Sequence, residues 1–235
     1  MRTFLFILPI LILFSCGKEN KEIQITRDLE AFSYVHLNSS FNVILVEDTA
    51  YFVELSGKAK IVNAVELTIE NGILNIERTS SNDWLSPKSN KVTLTIHAPP
   101  LEGVNANETC GITTRNPITS NEFGLVLKGK GSEASLDLDC HTFFFWNNAP
   151  TGGRITLTGQ CYAMKLWTTA LVKVDASDVQ AEYGILENES KADCSIRAST
   201  LFEYSIKDEG DVHIYGSPAQ TNLIDHSGSG ELITH

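Results

Sequence analysis

The second half of the chain repeats itself, and that repeat narrows the fold more than any other feature. Six residues of the form x-apolar-x-apolar-x-small recur at Ser135–Cys140, Arg154–Gly159, Leu171–Ala176, Asp193–Ala198 and Asp211–Gly216. The first apolar positions are Leu136, Ile155, Val172, Cys194 and Val212, at steps of 19, 17, 22 and 18 residues. Seven residues beyond each anchor stand Phe143, Tyr162, Val179, Leu201 and Ala219, a second, mostly apolar column. Alternation with period two marks a strand with one buried face. A single pair of such strands cannot bury that face, whereas copies at a period of roughly 20 residues can do so by stacking. Because the units are strands, the stack they predict is a parallel β-helix. Turn-forming residues close most copies: Thr151-Gly152-Gly153, Asn188-Glu189-Ser190, Asp208-Glu209-Gly210 and Ser227–Gly230.

The first half carries the same period without the repeat. Phe32–Leu37, Phe41–Val46, Tyr51–Leu55, Val65–Ile69, Ile73–Ile76 and Val92–Ile96 read as strands. Asn71-Gly72 is the signal for a type I′ hairpin. Pro99-Pro100 ends the last of these strands, since proline cannot donate to a ladder. Thr79–Asn90 is polar and reads as an exposed loop containing Trp84. Amphipathic helical spacing is not found after the leader. The expected class is therefore all-β.

At the N-terminus, Arg2 precedes an apolar run from Phe4 to Phe14. A bilayer-spanning helix needs roughly 20 apolar residues, so this run suits a signal peptide instead. Leu13-Phe14-Ser15-Cys16 then resembles a bacterial lipobox, with a small residue before the cut and a thiol to take the diacylglycerol. The expected organisation is a signal peptide over 1–15, lipidated Cys16 with a polar tether over 16–29, and one β-helix domain over 30–235. Lys18-Glu19 in the tether is similar to a surface-export signal of Bacteroidetes lipoproteins. The expected membrane contact is the lipid on Cys16, and the expected location is the outer membrane, facing the cell surface or the periplasm.

Charge excludes other partners. Without Arg2, 17 basic side chains stand against 29 acidic ones, a formal charge of −12. Nucleic-acid binding wants a basic face, and adhesion to anionic lipid wants the same. Cys110, Cys140, Cys161 and Cys194 contain no CxxC pair, which argues against zinc, and they read as small buried side chains.

The order of several short motifs resembles that of the autotransporter adhesin, head GIN domain family, many of whose members are Bacteroidetes lipoproteins. Phe32-Ser-Tyr-Val and Phe41-Asn-Val43-Ile-Leu45 open the domain as in that family. Asn71-Gly72-Ile-Leu74-Asn-Ile76 matches its "NG-x-L-x-I" segment. Val92–Ile96, Ala98-Pro99-Pro100-Leu101 and Val104 match its strand followed by "P-x-L". Gly210-Asp211-Val212-His213-Ile214-Tyr215-Gly216-Ser217-Pro218 resembles its terminal "G-x-V…Y-G-x-P" signature. The family's Gly-Ser-Gly turns are mostly replaced, with Cys110-Gly111 standing at one of them. The resemblance implies a right-handed parallel β-helix and says little about activity, because fold does not fix function.

Several motifs invite a site and fail a physical test. Gly129-Lys130-Gly131 mimics a dinucleotide fingerprint, but alternation resumes at Leu136 where a helix N-terminus would be needed. Asp225-His226-Ser227 cannot form a triad, because neighbours on an extended chain point opposite ways. Asp208-Glu209-Gly210-Asp211 reads as a solvated turn rather than a calcium loop. Asp137, Asp139, Asp175 and Asp178 read as a scattered acidic face. No catalytic, metal or cofactor site is expected. The aromatics are the most suggestive feature: Phe143–Trp146 places four rings in a row on a strand, so about two face outward. The candidate binding patch is Phe144, Trp146, Trp167, Tyr183 and Tyr204, set against core packing of the same rings. The expected role is non-catalytic: adhesion, or binding of an extracellular glycan or protein. The alternatives are a β-helix polysaccharide lyase or hydrolase and a purely structural envelope protein.

Overall fold

The computed structural model describes residues 21–79, 91–147 and 152–235. Cys16 with its leader, and Trp84 with its loop, lie outside those residues. The described chain is nearly all-β and forms a β-solenoid of about six turns. In chain order the elements are β1 (Glu22–Asp28), β2 (Tyr34–Leu37), β3 (Phe41–Glu47), β4 (Phe52–Lys58), a four-residue helix α1 (Ala59–Val62), β5 (Val65–Glu70), β6 (Ile73–Arg78), β7 (Val92–Ala98), β8 (Gly103–Ala106) and β9 (Gly111–Thr114). They continue as β10 (Glu122–Leu127), β11 (Ser132–Asn147), β12 (Gly152–Ser190), β13 (Cys194–Arg197), β14 (Leu201–Ile206), β15 (Val212–Tyr215), β16 (Gln220–His226) and β17 (Leu232–Thr234). Among the described residues, no helix is long and apolar enough to cross a membrane.

Two parallel ladders run the length of the stack. One joins β6, β2, β8, β10, the second half of β11, β12, β14 and β16. The other joins β7, β3, β9, the first half of β11, β12, β13, β15 and β17. The long strands β11 and β12, of 16 and 39 residues, carry the chain round the corner between ladders, with Gly159 and Ala170 of β12 at positive φ of 99° and 61°.

The core is made of columns. Leu74, Val35, Val104, Leu125, Phe145 and Leu166 stand in register in the first ladder. All six are fully buried. Phe123 and Phe143 stack with centroids 6.3 Å apart, one turn above the other. Fully burying such a side chain is worth about 1.5–3 kcal/mol. One corner is filled by polar groups that satisfy each other. Thr168 donates to Asn188 Oδ1 at 2.7 Å, Asn188 Nδ2 donates to the Gly210 carbonyl at 3.0 Å, and Ser190 Oγ donates to the Val172 carbonyl at 2.9 Å. Buried amides and hydroxyls are tolerated there because each has a partner.

The repeat has a different phase from the one that spacing suggests. Leu136 is level with Leu157 rather than Ile155, which instead faces Ala134. Asp175 pairs with Ser195, so Val174 rather than Val172 stands beside Cys194. The six-residue motif carries two apolar positions, and slipping by two still lays apolar on apolar. Cys194 does pair with Val212.

Chain order and stacking order also diverge at one end. β2 lies between β6 and β8, and β3 between β7 and β9. The first turn in sequence is thus the second in space. Beyond it, β4 runs antiparallel to β7, β1 antiparallel to β4, and β5 antiparallel to β6. The β5–β6 hairpin turns on Asn71 and Gly72 at φ of 52° and 77°, the left-handed pair that a type I′ turn needs.

Candidate functional site

The corner between ladders is built from small residues. Cys140, Cys161, Ala181 and Ala198 occupy it on successive turns, and all are buried. Beside them runs an open groove of about 460 Å³ lined from five turns, with Asp139, Gln160, Gln180, Glu182, Arg197 and Ser199 along its walls. Gln160 Nε2 donates to Asp139 Oδ1 at 2.6 Å. Arg197 Nε donates to the Ser177 carbonyl at 2.7 Å, and its guanidinium lies 5.9 Å from the Tyr215 ring centre. These bonds fix the polar heads rather than leave them to sample solvent.

An aromatic ladder edges the same corner. His141 and Tyr162 have centroids 4.6 Å apart, and Tyr162 and Tyr183 are 4.9 Å apart. Tyr162 is 43% exposed. The hydrogen bond with Tyr183 pushes the Tyr162 phenol above its ordinary value. Tilted rings beside planar amides, a carboxylate and a guanidinium offer both apolar faces and fixed hydrogen bonds.

The cysteines in the floor do not supply a nucleophile. Burial pushes the Cys140 thiol up to about 11, and burial followed by the Cys140 charge pushes Cys161 up to about 12. Burial likewise raises Cys110 and Cys194 to about 11. All four are free and buried. The thiolate is the reactive form, and these positions disfavour it.

The five rings singled out from sequence are divided by the fold. Trp146 and Trp167 stand in register on neighbouring turns, facing outward. Trp146 is 42% exposed, while Trp167 is half-buried and donates its indole N–H to Glu187 Oε2 at 3.2 Å. Phe144, two residues before Trp146 on the same outer face, lies over Gly124. A Cβ there would sit 2.0 Å from the ring. The ring shields a strand interior that glycine would otherwise weaken. Tyr183 belongs to the corner ladder instead. Tyr204 stands apart, stacked parallel on buried Phe202 at 5.2 Å and packed against the core. Tyr204 lies two residues from Phe202, on the same face of the strand, and that spacing was the available signal. Tyr162, His141, Gln160, Gln180 and Arg197 are corner residues that sequence reading did not single out. They converge from positions about one turn apart, and only the register brings them together.

A stack of parallel turns with an open polar groove and outward rings defines a β-solenoid that presents a surface. The chain belongs to the family described as putative auto-transporter adhesin, head GIN domain, which matches residues 31–218. It is similar in fold to a crystal structure of a putative adhesin from Bacteroides fragilis NCTC 9343, at 16% identity and a TM-score of 0.83, covering 93% of this chain and 99% of that one. A putative adhesin from Parabacteroides distasonis ATCC 8503 is similar at 12% identity and a TM-score of 0.69, covering 93% and 98%. A protein from the same organism described as a putative lipid binding protein is similar at 13% identity and 0.64, covering 92% and 98%. No curated protein matches the sequence.

Proposed function

We propose that this chain is a cell-envelope adhesin, held by lipid on Cys16, that binds a surface glycan along the corner groove. The observation that carries the reading is the coincidence of two features on one edge. Exposed Tyr162 is flanked by His141 and Tyr183, and a row of polar heads runs from Asp139 to Ser199, with Asp139, Gln160 and Arg197 held by hydrogen bonds. Sugar rings have apolar faces that stack on aromatic planes and hydroxyls that bridge planar amides and carboxylates. Successive turns repeat at about 4.8 Å, so an extended polymer can contact equivalent positions on several of them. Trp146 and Trp167 offer a second stacking surface on the outer face. The family and the neighbouring adhesins support an adhesive role, and the lipobox-like Leu13–Cys16 supports the anchor.

The test is a glycan array probed with purified mature protein, followed by titration of the best hit. Saturable binding that weakens at least tenfold in Tyr162→Ala is expected, with Trp146→Ala reporting on the outer face. Unaltered binding in both variants removes the proposed site. Shortening of the bound polymer would move the reading to a polysaccharide lyase or hydrolase, with Asp139 and Glu182 as the carboxylates to mutate first. Absence of any saturable binding would favour a structural envelope role. For the anchor, radiolabelled palmitate should enter the wild type and not Cys16→Ser, and protease shaving of intact cells should remove the domain.

A further inference from the structure

The last three turns bring together a set of side chains that no single stretch of sequence contains. Asp193 and Asp211 occupy the same place on successive turns, each just before its strand in the second ladder. Asp193 Oδ1 accepts the Asp211 N–H at 3.1 Å, and Asp211 Oδ1 accepts the Glu231 N–H at 2.8 Å. Each carboxylate is thereby pinned through one oxygen, and its second oxygen has no role in the ladder. His213 follows two residues after Asp211, on the same side of β15. Asp193, Asp211 and His213 each offer one ligand atom, all within 4.8 Å of one another.

The second observation comes from His235. Its Nε2 lies 2.9 Å from His213 Nδ1, with ring centroids 5.2 Å apart. The His235 backbone N–H donates to the Ile214 carbonyl at 3.0 Å, and Tyr215 stacks on the His235 ring at 4.3 Å and 6°. The ring is therefore oriented by two contacts that owe nothing to His213. Two imidazole nitrogens this close either share a proton or ligate one cation. Ligand atoms around a tetrahedral ion with bonds of about 2.0–2.1 Å stand about 3.3 Å apart. The imidazole pair, at 2.9 Å, is near that spacing, and the Asp193–Asp211–His213 group, with atoms up to 4.8 Å apart, must be drawn in by side-chain rotation to share an ion with His235.

We propose that Asp193, Asp211, His213 and His235 bind a divalent transition-metal ion. Two imidazoles and two carboxylates suit zinc(II) or copper(II). Calcium and magnesium prefer an all-oxygen shell. On binding, the shared proton moves to the outer nitrogen of its own ring and the ion takes its place. The site is independent of the glycan reading, and its test needs no glycan.

Tag-free protein is titrated with zinc(II) and, separately, copper(II) by calorimetry, with calcium(II) as the contrasting ion. One equivalent of transition metal is expected, with no saturable uptake of calcium. His213→Ala should weaken binding at least tenfold. Asp211→Asn should also weaken it while keeping the oxygen that accepts the Glu231 N–H, so its metal-free melting temperature should match the wild type. Copper(II) electron paramagnetic resonance should show coupling to two imidazole nitrogens, falling to one in His235→Ala. That variant removes an exposed ring and keeps the test open if His213→Ala does not fold. Metal uptake that is absent in the wild type, or equal in wild type and both histidine variants, overturns the proposal.

Discussion

The two ends of the solenoid are finished in opposite ways. At one end, antiparallel strands β1, β4 and β5 lie over the first stacked turns, and the chain doubles back so that β7 enters between β3 and β4. At the other end, β16 and β17 each pair on one side alone. Residues there are largely exposed, with Leu223 at 50% and Ile224 at 65%. A parallel stack has no intrinsic stop, so an end needs either a cap or a tolerance for exposed edge groups. Among the described residues, one end shows the first solution and the other the second.

The largest expected effect tests that contrast directly. Leu94 is fully buried on β7, between partners on both sides. Leu94→Ala should cost about 2–5 kcal/mol in urea unfolding. Leu223→Ala, on the open edge, should stay within about 0.5 kcal/mol. Equal costs would show that exposure does not separate the two ends energetically. Amide hydrogen exchange should agree, with β16 exchanging well before β7.

Alkaline stability asks whether the body between the ends is uniform. Cys110 lies toward the capped end and Cys194 toward the open one, and burial raises both thiols from 9.0 to about 11. The unfolded chain therefore loses these protons first. Their stabilising contribution is complete below pH 9 and disappears as pH rises through about 11. Each thiol should add about 1.4 kcal/mol per pH unit to the slope of stability in that window. Cys110→Ala and Cys194→Ala should each flatten the slope by that amount. A difference between them would mean that one end opens before the other.

The smallest expected effect is at the surface. Lys207 bonds Glu187 and also Glu189, the latter at 2.9 Å. The Lys207 ammonium holds the Glu187 carboxyl below its ordinary range. The pairing is thus present above the ordinary glutamate value and fades as pH falls through the lowered one. The groups are partly exposed, so Lys207→Met should cost no more than about 1 kcal/mol at neutral pH, and less in high salt.

The solenoid was legible because its columns leave a periodic trace. Val212 and Cys194 alternate with polar neighbours in the same way, and they do stack. The phase was not legible at Leu136, because Ile155 and Leu157 are both apolar and either could meet it. The capped end was illegible for another reason. Nothing in Phe41–Glu47 says that Val92–Ala98 will return to lie between it and Phe52–Lys58. Strand sequences record which face is buried, not which neighbour arrives. Among the aromatics, alternation required about two of Phe143–Trp146 to face outward, and the same rule places Tyr204 with Phe202. The corner groove depends on small residues and rings contributed by separate turns, and the metal cluster on four residues from three turns. Such sites appear only once the register is known.

The doubled-back end also sets an order of events. Later turns can be laid down one at a time, each templated by the edge left by its predecessor. The first cannot. β2 and β3 remain without partners on one side until β6 and β7, some forty to fifty residues later, return to them. The chain must close these non-local loops before it has an edge to propagate, so folding should start slowly at the capped end and run quickly toward the open one. Deletions should follow the same asymmetry: losing β16 and β17 shortens the stack, whereas losing β7 removes the seed from which it grows.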